Sequence, residues 1–181
     1  MNSLFPETDN KVRAMGSHQS SAAQSHVWLT PPYILEALGS FDLDPCAGPE
    51  PRPWPTAQTH WGRDDNSLQR PWNGRVWLNP PYGPKVSIAP WLRRMAEHNC
   101  GTALIFARTE TDIFFETVWK MASAVFFFRG RLYFHRKDGA LGGGGNAGAP
   151  SVLVAYGRAD AIALKNSGLH GQYIKLRAPH A

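Results

Sequence analysis

At 181 residues with 43% hydrophobic side chains, the chain has enough apolar material for one sizeable core and too little for two, so a single domain is expected. Its two cysteines, Cys46 and Cys100, form neither a CxxC pair nor a disulfide framework, and no metal-ligand spacing joins them to the seven histidines. A formal charge of +5 and a pI of about 9.5 suit a phosphate-bearing partner better than a membrane surface, and no apolar segment has the length to span a bilayer, so a soluble, cytoplasmic protein is expected, with neither membrane nor metal.

Residues 1–25 are rich in Ser, Asn, Gln and Ala without an apolar period and read as a mobile tail, leaving 26–181 as the folded domain. Thr30 is placed to cap a helix with Pro31 at its first position, Ile34, Leu35 and Leu38 on one face and Gly39 at its end. Phe41-Asp42-Leu43-Asp44-Pro45 alternates apolar and acidic and reads as a short strand with an acidic carboxyl end. A loop over 47–55, a second short strand over 56–61 and a polar turn from Arg63 to Leu68 follow. Val76-Trp77-Leu78 is then a buried strand that stops abruptly at Asn79-Pro80-Pro81-Tyr82, because proline supplies no backbone N–H for the ladder.

Ile88, Trp91, Leu92 and Met95 recur at helical spacing, with Gly101 after the helix end, and 102–107 is another buried strand. Ile113, Phe114, Val118 and Met121 predict a further helix, 124–128 a strand, and 130–134 its continuation as strand or turn. The glycine-rich run 139–148 lacks the Lys-Ser/Thr ending of a phosphate-binding loop and reads as flexible. A strand over 151–156, a short helix and an extended piece at 173–176 complete the chain, and Trp28, Trp77, Trp91 and Phe126 to Phe128 are expected in the core. Strands alternating with helices predict an α/β fold: a mostly parallel sheet covered on both faces.

The chemistry gathers where the strand at 76–78 stops, since ligands of open α/β sheets bind at the carboxyl edge. An exocyclic amino group on an aromatic base is a poor nucleophile because its lone pair is delocalised into the ring. Two fixed acceptors, the Asn79 side-chain oxygen and the Pro80 carbonyl on the stiff Pro80-Pro81 backbone, suit its localisation, and Tyr82 suits stacking on the ring. Asp44 suits an ammonium or ribose hydroxyl, Thr30 and Pro31 a methionine-like tail, and Asp64 or Asp65 an adenine amino group. Each has a structural alternative: a strand-ending turn, an arginine partner for Asp44, a helix start, and solvated loop carboxylates. Arg108 and Arg131 follow apolar strands and point to phosphate, to the target base or to a structural carboxylate.

Together these stretches resemble the phage-type Dam-like DNA N-6-adenine methyltransferases, a branch of the amino-methyltransferases. The matching stretches are Trp28-Leu29-Thr30-Pro31, Leu43-Asp44-Pro45-Cys46-Ala47, Asp65-Asn66-Ser67-Leu68 with Trp72, and Trp77-Leu78-Asn79-Pro80-Pro81-Tyr82-Gly83. Ala107-Arg108-Thr109-Glu110-Thr111 with Phe115 and Gly130-Arg131-Leu132-Tyr133-Phe134 follow in the same order. The resemblance implies a Rossmann-like methyltransferase fold with a terminal antiparallel hairpin, S-adenosylmethionine as methyl donor and a flipped adenine in DNA as acceptor. It assigns Asn79, Pro80, Pro81 and Tyr82 to the target base. To the cofactor it assigns Trp28, Thr30, Pro31, Asp44, Pro45, Ala47 and Asp65, with Asn79 shared. One departure is the stretch from Leu43 to Gly48, which lacks the Gly-x-Gly loop common among methyltransferases. Methylation of N4-cytosine, an RNA base or a protein glutamine, or an inactive DNA-binding module of the same fold, are the alternatives.

Overall fold

The central strands alternate between two apolar faces, and each face is covered by helices. The computed structural model describes residues 28–82, 86–141 and 147–176; the expected tail and the centre of the glycine run lie outside them. Its strands are β1 (Leu43–Asp44), β2 (Thr59–His60), β3 (Val76–Leu78), β4 (Gly101–Phe106), β5 (Ala124–Phe128), β6 (Ser151–Tyr156) and β7 (Gly171–Lys175). They form one sheet in the order β2-β1-β3-β4-β6-β5-β7. The helices are α1 (Pro32–Leu38), α2 (Ala89–His98), α3 (Asp112–Phe114) and α4 (Arg158–Lys165).

Val76, Leu78, Ala103, Ile105, Val125, Val152 and Val154 pack with Leu92 and Met95 of α2 and Phe114 of α3. Trp77, Leu104, Ala124, Phe126, Leu153 and Ala155 pack on the opposite side with Ile34, Leu35 and Leu38 of α1 and Leu164 of α4. The expectation of helices on both faces therefore holds, and so does the period-two reading of the strands.

The expectation of a mostly parallel sheet holds in part: among the described residues three neighbouring pairs are parallel and three antiparallel. β2, β1, β3 and β4 pair in parallel, but β6 runs antiparallel to both β4 and β5, and β7 antiparallel to β5. The β4–β6 ladder spans both strands from end to end, whereas β1 and β3 meet only at Leu43 and Val76. Among the described residues the link from β5 to β6 contains no helix, and a chain returning without a crossover helix pairs antiparallel.

Several local expectations change for stated reasons. Gly39, at φ 82°, ends α1 as expected, but α1 starts at Pro32 with Pro31 in the cap position, where proline has no side-chain acceptor, and the Thr30 hydroxyl is engaged elsewhere. The left-handed residue after α2 is Asn99, at φ 51°. Gly101 instead opens β4 where a Cβ would lie 2.1 Å from the Val76 carbonyl oxygen. The helix expected over 113–121 is one α-turn followed by a π-helix over Phe115–Trp119. Residues 130–134 form no strand, and beyond them His135 bridges to Leu29. Trp28 is 44% exposed rather than core, while Trp77 is fully buried.

At the sheet's amino edge Arg75 ties three elements together. Its Nε donates to Asp160 of α4 at 2.9 Å, its Nη1 donates to the carbonyls of Leu38 and Ser40 at 2.9 Å, and its guanidinium lies 4.1 Å from the Phe41 ring. Asp160 also accepts from Thr102 at 2.9 Å. Burial raises the Asp160 pKa above its ordinary value, although Arg75 and Thr102 pull it down.

Candidate active site

From β1 the chain leaves to β2 on one side, while the next strand, β3, lies on the other side of β1. Such a switch in strand order opens a crevice beyond the carboxyl ends of the two strands. Asp44 ends β1 and Asn79 follows β3, so the two residues singled out in the sequence flank that crevice. Alternation along the strands places both on the face that carries Trp77.

Pro80 and Pro81 end β3 by withdrawing donors from its ladder. The Asn79 amide is held by the segment before α1: Nδ2 lies 3.3 Å from Thr30 Oγ1 and 3.4 Å from the Trp28 carbonyl. A carbonyl only accepts, so the NH2 group must face Trp28, which fixes the orientation of the amide. Oδ1 takes no hydrogen bond from the described residues and remains an acceptor for a ligand. That segment is itself anchored, since Trp54 Nε1 donates to the Thr30 carbonyl at 3.1 Å and Leu29 pairs with His135.

The end of β3 also leaves the Phe106 N–H of β4 without a strand partner on that side. The Tyr82 hydroxyl accepts it at 3.1 Å, and the Tyr82 and Phe106 ring centroids are 4.6 Å apart. Burial raises the Tyr82 phenol above its ordinary pKa, so its proton is retained. Tyr82 is thus pinned at its tip and packed along one side.

Asp44 is buried. Its Oδ1 accepts from the Cys46 N–H at 2.9 Å and its Oδ2 from the Thr56 hydroxyl at 2.5 Å. Burial pushes its pKa up to about 6, against the lowering effects of those two hydrogen bonds and of Arg52. No cation contacts it among the described residues. Pro45 and Ala47 are buried beside it, and Ala47 is fixed by its N–H to the Trp61 carbonyl. Thr30 and Pro31 are buried next to Asn79.

Asp65 lies farther along the loop. One of its oxygens accepts from the Gly62 N–H at 2.7 Å and the other from Arg70 at 3.0 Å, so it closes a short 3-10 turn. Asp64 is exposed in the same turn. Arg108, two residues past β4, and Arg131, three past β5, are exposed without ion-pair partners among the described residues. Sequence reasoning missed Thr56 and Phe106 as partners of Asp44 and Tyr82. A threonine in the loop before β2 and a phenylalanine closing β4 carry no local signal of such contacts.

The family model for DNA N-6-adenine-methyltransferase (Dam) matches residues 16–159. A protein of Escherichia phage T1 described as a DNA N-6-adenine-methyltransferase is 30% identical over 111 residues, 58% of this chain and 45% of that protein. The chain therefore spans about half the length of the curated relative it matches. No solved structure matches.

Proposed function

The chain belongs to the DNA N-6-adenine-methyltransferase (Dam) family, and from that premise we propose that it methylates the exocyclic amino nitrogen of an adenine in DNA, with S-adenosylmethionine as donor. The observation that carries this reading is the Asn79 amide, whose donors are spent on Thr30 and Trp28 so that its oxygen is left for an amino group. The strand-order switch between β1 and β3 supports a Rossmann-like methyltransferase fold.

S-adenosylmethionine, when bound, supplies an electrophilic methyl group on a sulfonium centre. The chain fits it in one respect above all: Asp44 is a buried carboxylate without a contacting cation, which suits the donor's ammonium or a ribose hydroxyl. Thr30, Pro31, Pro45 and Ala47 form the buried surroundings and Trp28 the exposed rim. A hydrogen bond from Asp65 to the cofactor's adenine would add to the two its carboxylate already accepts. Asn79 Oδ1 and the Pro80 carbonyl accept the target's amino hydrogens and localise the nitrogen lone pair, and Tyr82 offers the base its free face. In-line displacement asks for alignment rather than a titrating base.

The test is incubation of the purified protein with labelled donor and unmethylated duplex DNA, followed by nucleoside analysis. N6-methyladenine is expected. Label on cytosine N4, on RNA or on protein glutamine would move the assignment to that substrate, and salt-sensitive DNA binding without donor binding would identify an inactive module.

Asp44 gives a pH signature. The donor's ammonium favours the ionised carboxylate, so wild-type affinity should fall about tenfold per pH unit below about 6, and Asp44→Asn should bind weakly at every pH. Without ligand the sign reverses. The folded pKa is raised, so the native state holds the extra proton, and this contribution to stability is lost as pH rises towards 6. Asp44→Asn keeps both neighbours satisfied, accepting from Cys46 and donating to Thr56, and should gain roughly 1–3 kcal/mol at pH 7. Calorimetric titration and thermal melts across pH check the two halves.

The DNA face is read from the segment after β5. Arg129, Arg131, Tyr133, Arg136 and Lys137 are exposed along a path that leaves the carboxyl end of β5 and reaches the Leu29–His135 bridge beside the Asn79 cradle. Arg108→Ala and Arg131→Ala should each weaken binding to all DNA sequences alike, and each should reduce the slope of log affinity against log salt by about 0.9. Fluorescence anisotropy over a salt series reads it.

A further inference from the structure

We propose that Ser151 is a base-contacting residue whose hydroxyl hydrogen-bonds a ring nitrogen of the target base while Asn79 holds its amino group. The proposal rests on the methyl-transfer reading above. Ser151 is 3% exposed and its Oγ has no hydrogen-bond partner among the described residues. A buried hydroxyl left unpaired costs stability, so one placed at a site edge calls for an occasional partner.

The other buried unpaired side-chain atoms have different settings. Trp77 Nε1 lies mid-strand among Phe41 and the α1 and α4 side chains, Arg75 Nη2 belongs to a guanidinium otherwise fully engaged, and Arg94 Nε lies on α2. Ser151 is the first residue of β6 and lies directly opposite Phe106, the last residue of β4. β6 runs antiparallel to β4, so its amino end lies at the same sheet edge as Asn79 and Tyr82.

The local ladder brings the Ser151 side chain close to the aromatic pair. The Ala107 N–H donates to the Pro150 carbonyl at 2.8 Å, which makes Phe106 and Ser151 a non-hydrogen-bonded pair, the type whose side chains approach most closely. Phe106 in turn packs on Tyr82. By alternation Asn79, Phe106 and Ser151 share the face that carries Trp77, Leu104 and Leu153, on the successive strands β3, β4 and β6. The register continues Asn79 opposite Leu104, so two strand spacings across and two residues along separate it from Ser151, about 12 Å between backbones, which leaves room for a flat base with a hydrogen bond at each end.

The chemistry needs a second anchor. Acceptors on the amino group alone leave the far side of the ring free to swing about the amino nitrogen, whereas in-line attack requires one orientation. A serine hydroxyl donates to a ring nitrogen while its lone pairs remain free, and it does so without the charge a lysine or arginine would bring to the amino nucleophile.

Ser151→Ala should lower kcat/KM about tenfold, with donor affinity unchanged and a melting temperature equal to or above wild type. Duplexes carrying 1-deaza-, 3-deaza- or 7-deazaadenine at the mapped target supply the partner half of a double-mutant cycle. One of the three should cost wild type a similar factor and cost Ser151→Ala nothing more. Ser151→Ala acting at the wild-type rate, losing further activity with every deaza base, or melting lower than wild type would overturn the proposal; the last would mean that the hydroxyl has a structural partner. Wild type producing no N6-methyladenine on any DNA would overturn the methyl-transfer reading itself and this contact with it.

Discussion

Asn79→Ala is expected to slow methyl transfer to adenine by roughly 10²–10³-fold, the usual cost of removing one preorganised hydrogen-bonding group aimed at a reacting atom. The alanine leaves the Thr30 hydroxyl and the Trp28 carbonyl without their partner and leaves the target amino group with the Pro80 carbonyl as its acceptor. Donor affinity should change only a few-fold, because the buried carboxylate of Asp44 is untouched. Asn79→Asp should lie between the two. It keeps an acceptor but turns a second carboxylate oxygen towards the Trp28 carbonyl in place of the NH2 group. Single-turnover rates with saturating donor separate the chemical step from binding. An alanine variant within tenfold of wild type would show that the Asn79 oxygen does not hold the amino group.

Arg75→Ala should destabilise the fold by about 3–5 kcal/mol at neutral pH, the range for removing one member of a buried ion pair. It strips Asp160 of its cation, frees the carbonyls of Leu38 and Ser40, and removes the guanidinium from the Phe41 ring. The deficit should narrow in acid. Without Arg75 the Asp160 pKa rises further above its ordinary value, so the native state of the variant takes up a proton before the unfolded chain does. Stability is then lost as pH rises through that window and is recovered below it. Urea melts at pH 5 and pH 7 measure both the size and the sign. A deficit that is the same at both pH values would mean that the lost packing, rather than the stranded carboxylate, dominates.

The sequence was most legible where one residue type decides the matter locally. The apolar runs of β5 and β6 lie where their composition places them, and the Pro80-Pro81 pair stops β3 as proline must. It was least legible where a partner lies far along the chain. Thr30 has the chemistry of a helix cap, yet its hydroxyl serves Asn79, 49 residues away. Gly101 looks like a helix terminator because that role is common, but its lack of a side chain is needed by the neighbouring strand. Hydrophobic period likewise did not show where β6 inserts, since it reports which face a residue takes and nothing about strand direction, and antiparallel pairing near the end of the chain was expected only from the resemblance. Around the candidate site, Asp44, Asn79 and Tyr82 were singled out in the sequence by chemical type. The partners Thr56, Trp28 and Phe106, which decide which of their atoms remain free, emerged only from the fold.

The place of β6 has a consequence for how the molecule comes into being. It separates β4 from β5 in the sheet although it follows both in the chain, with Gly101 paired to Tyr156 and Ala124 to Ala155. During synthesis β5 has no neighbour on its inner side, and β4 keeps an open apolar edge, until the ribosome has released residues 151–156. A chain interrupted before that point presents two unpaired strand edges to other chains, and the complete one must close long loops before its central ladder forms, a topology that folds slowly. The strand that completes the sheet also brings Ser151 to its edge, so the base contact proposed for Ser151 is available only in a chain that has finished folding.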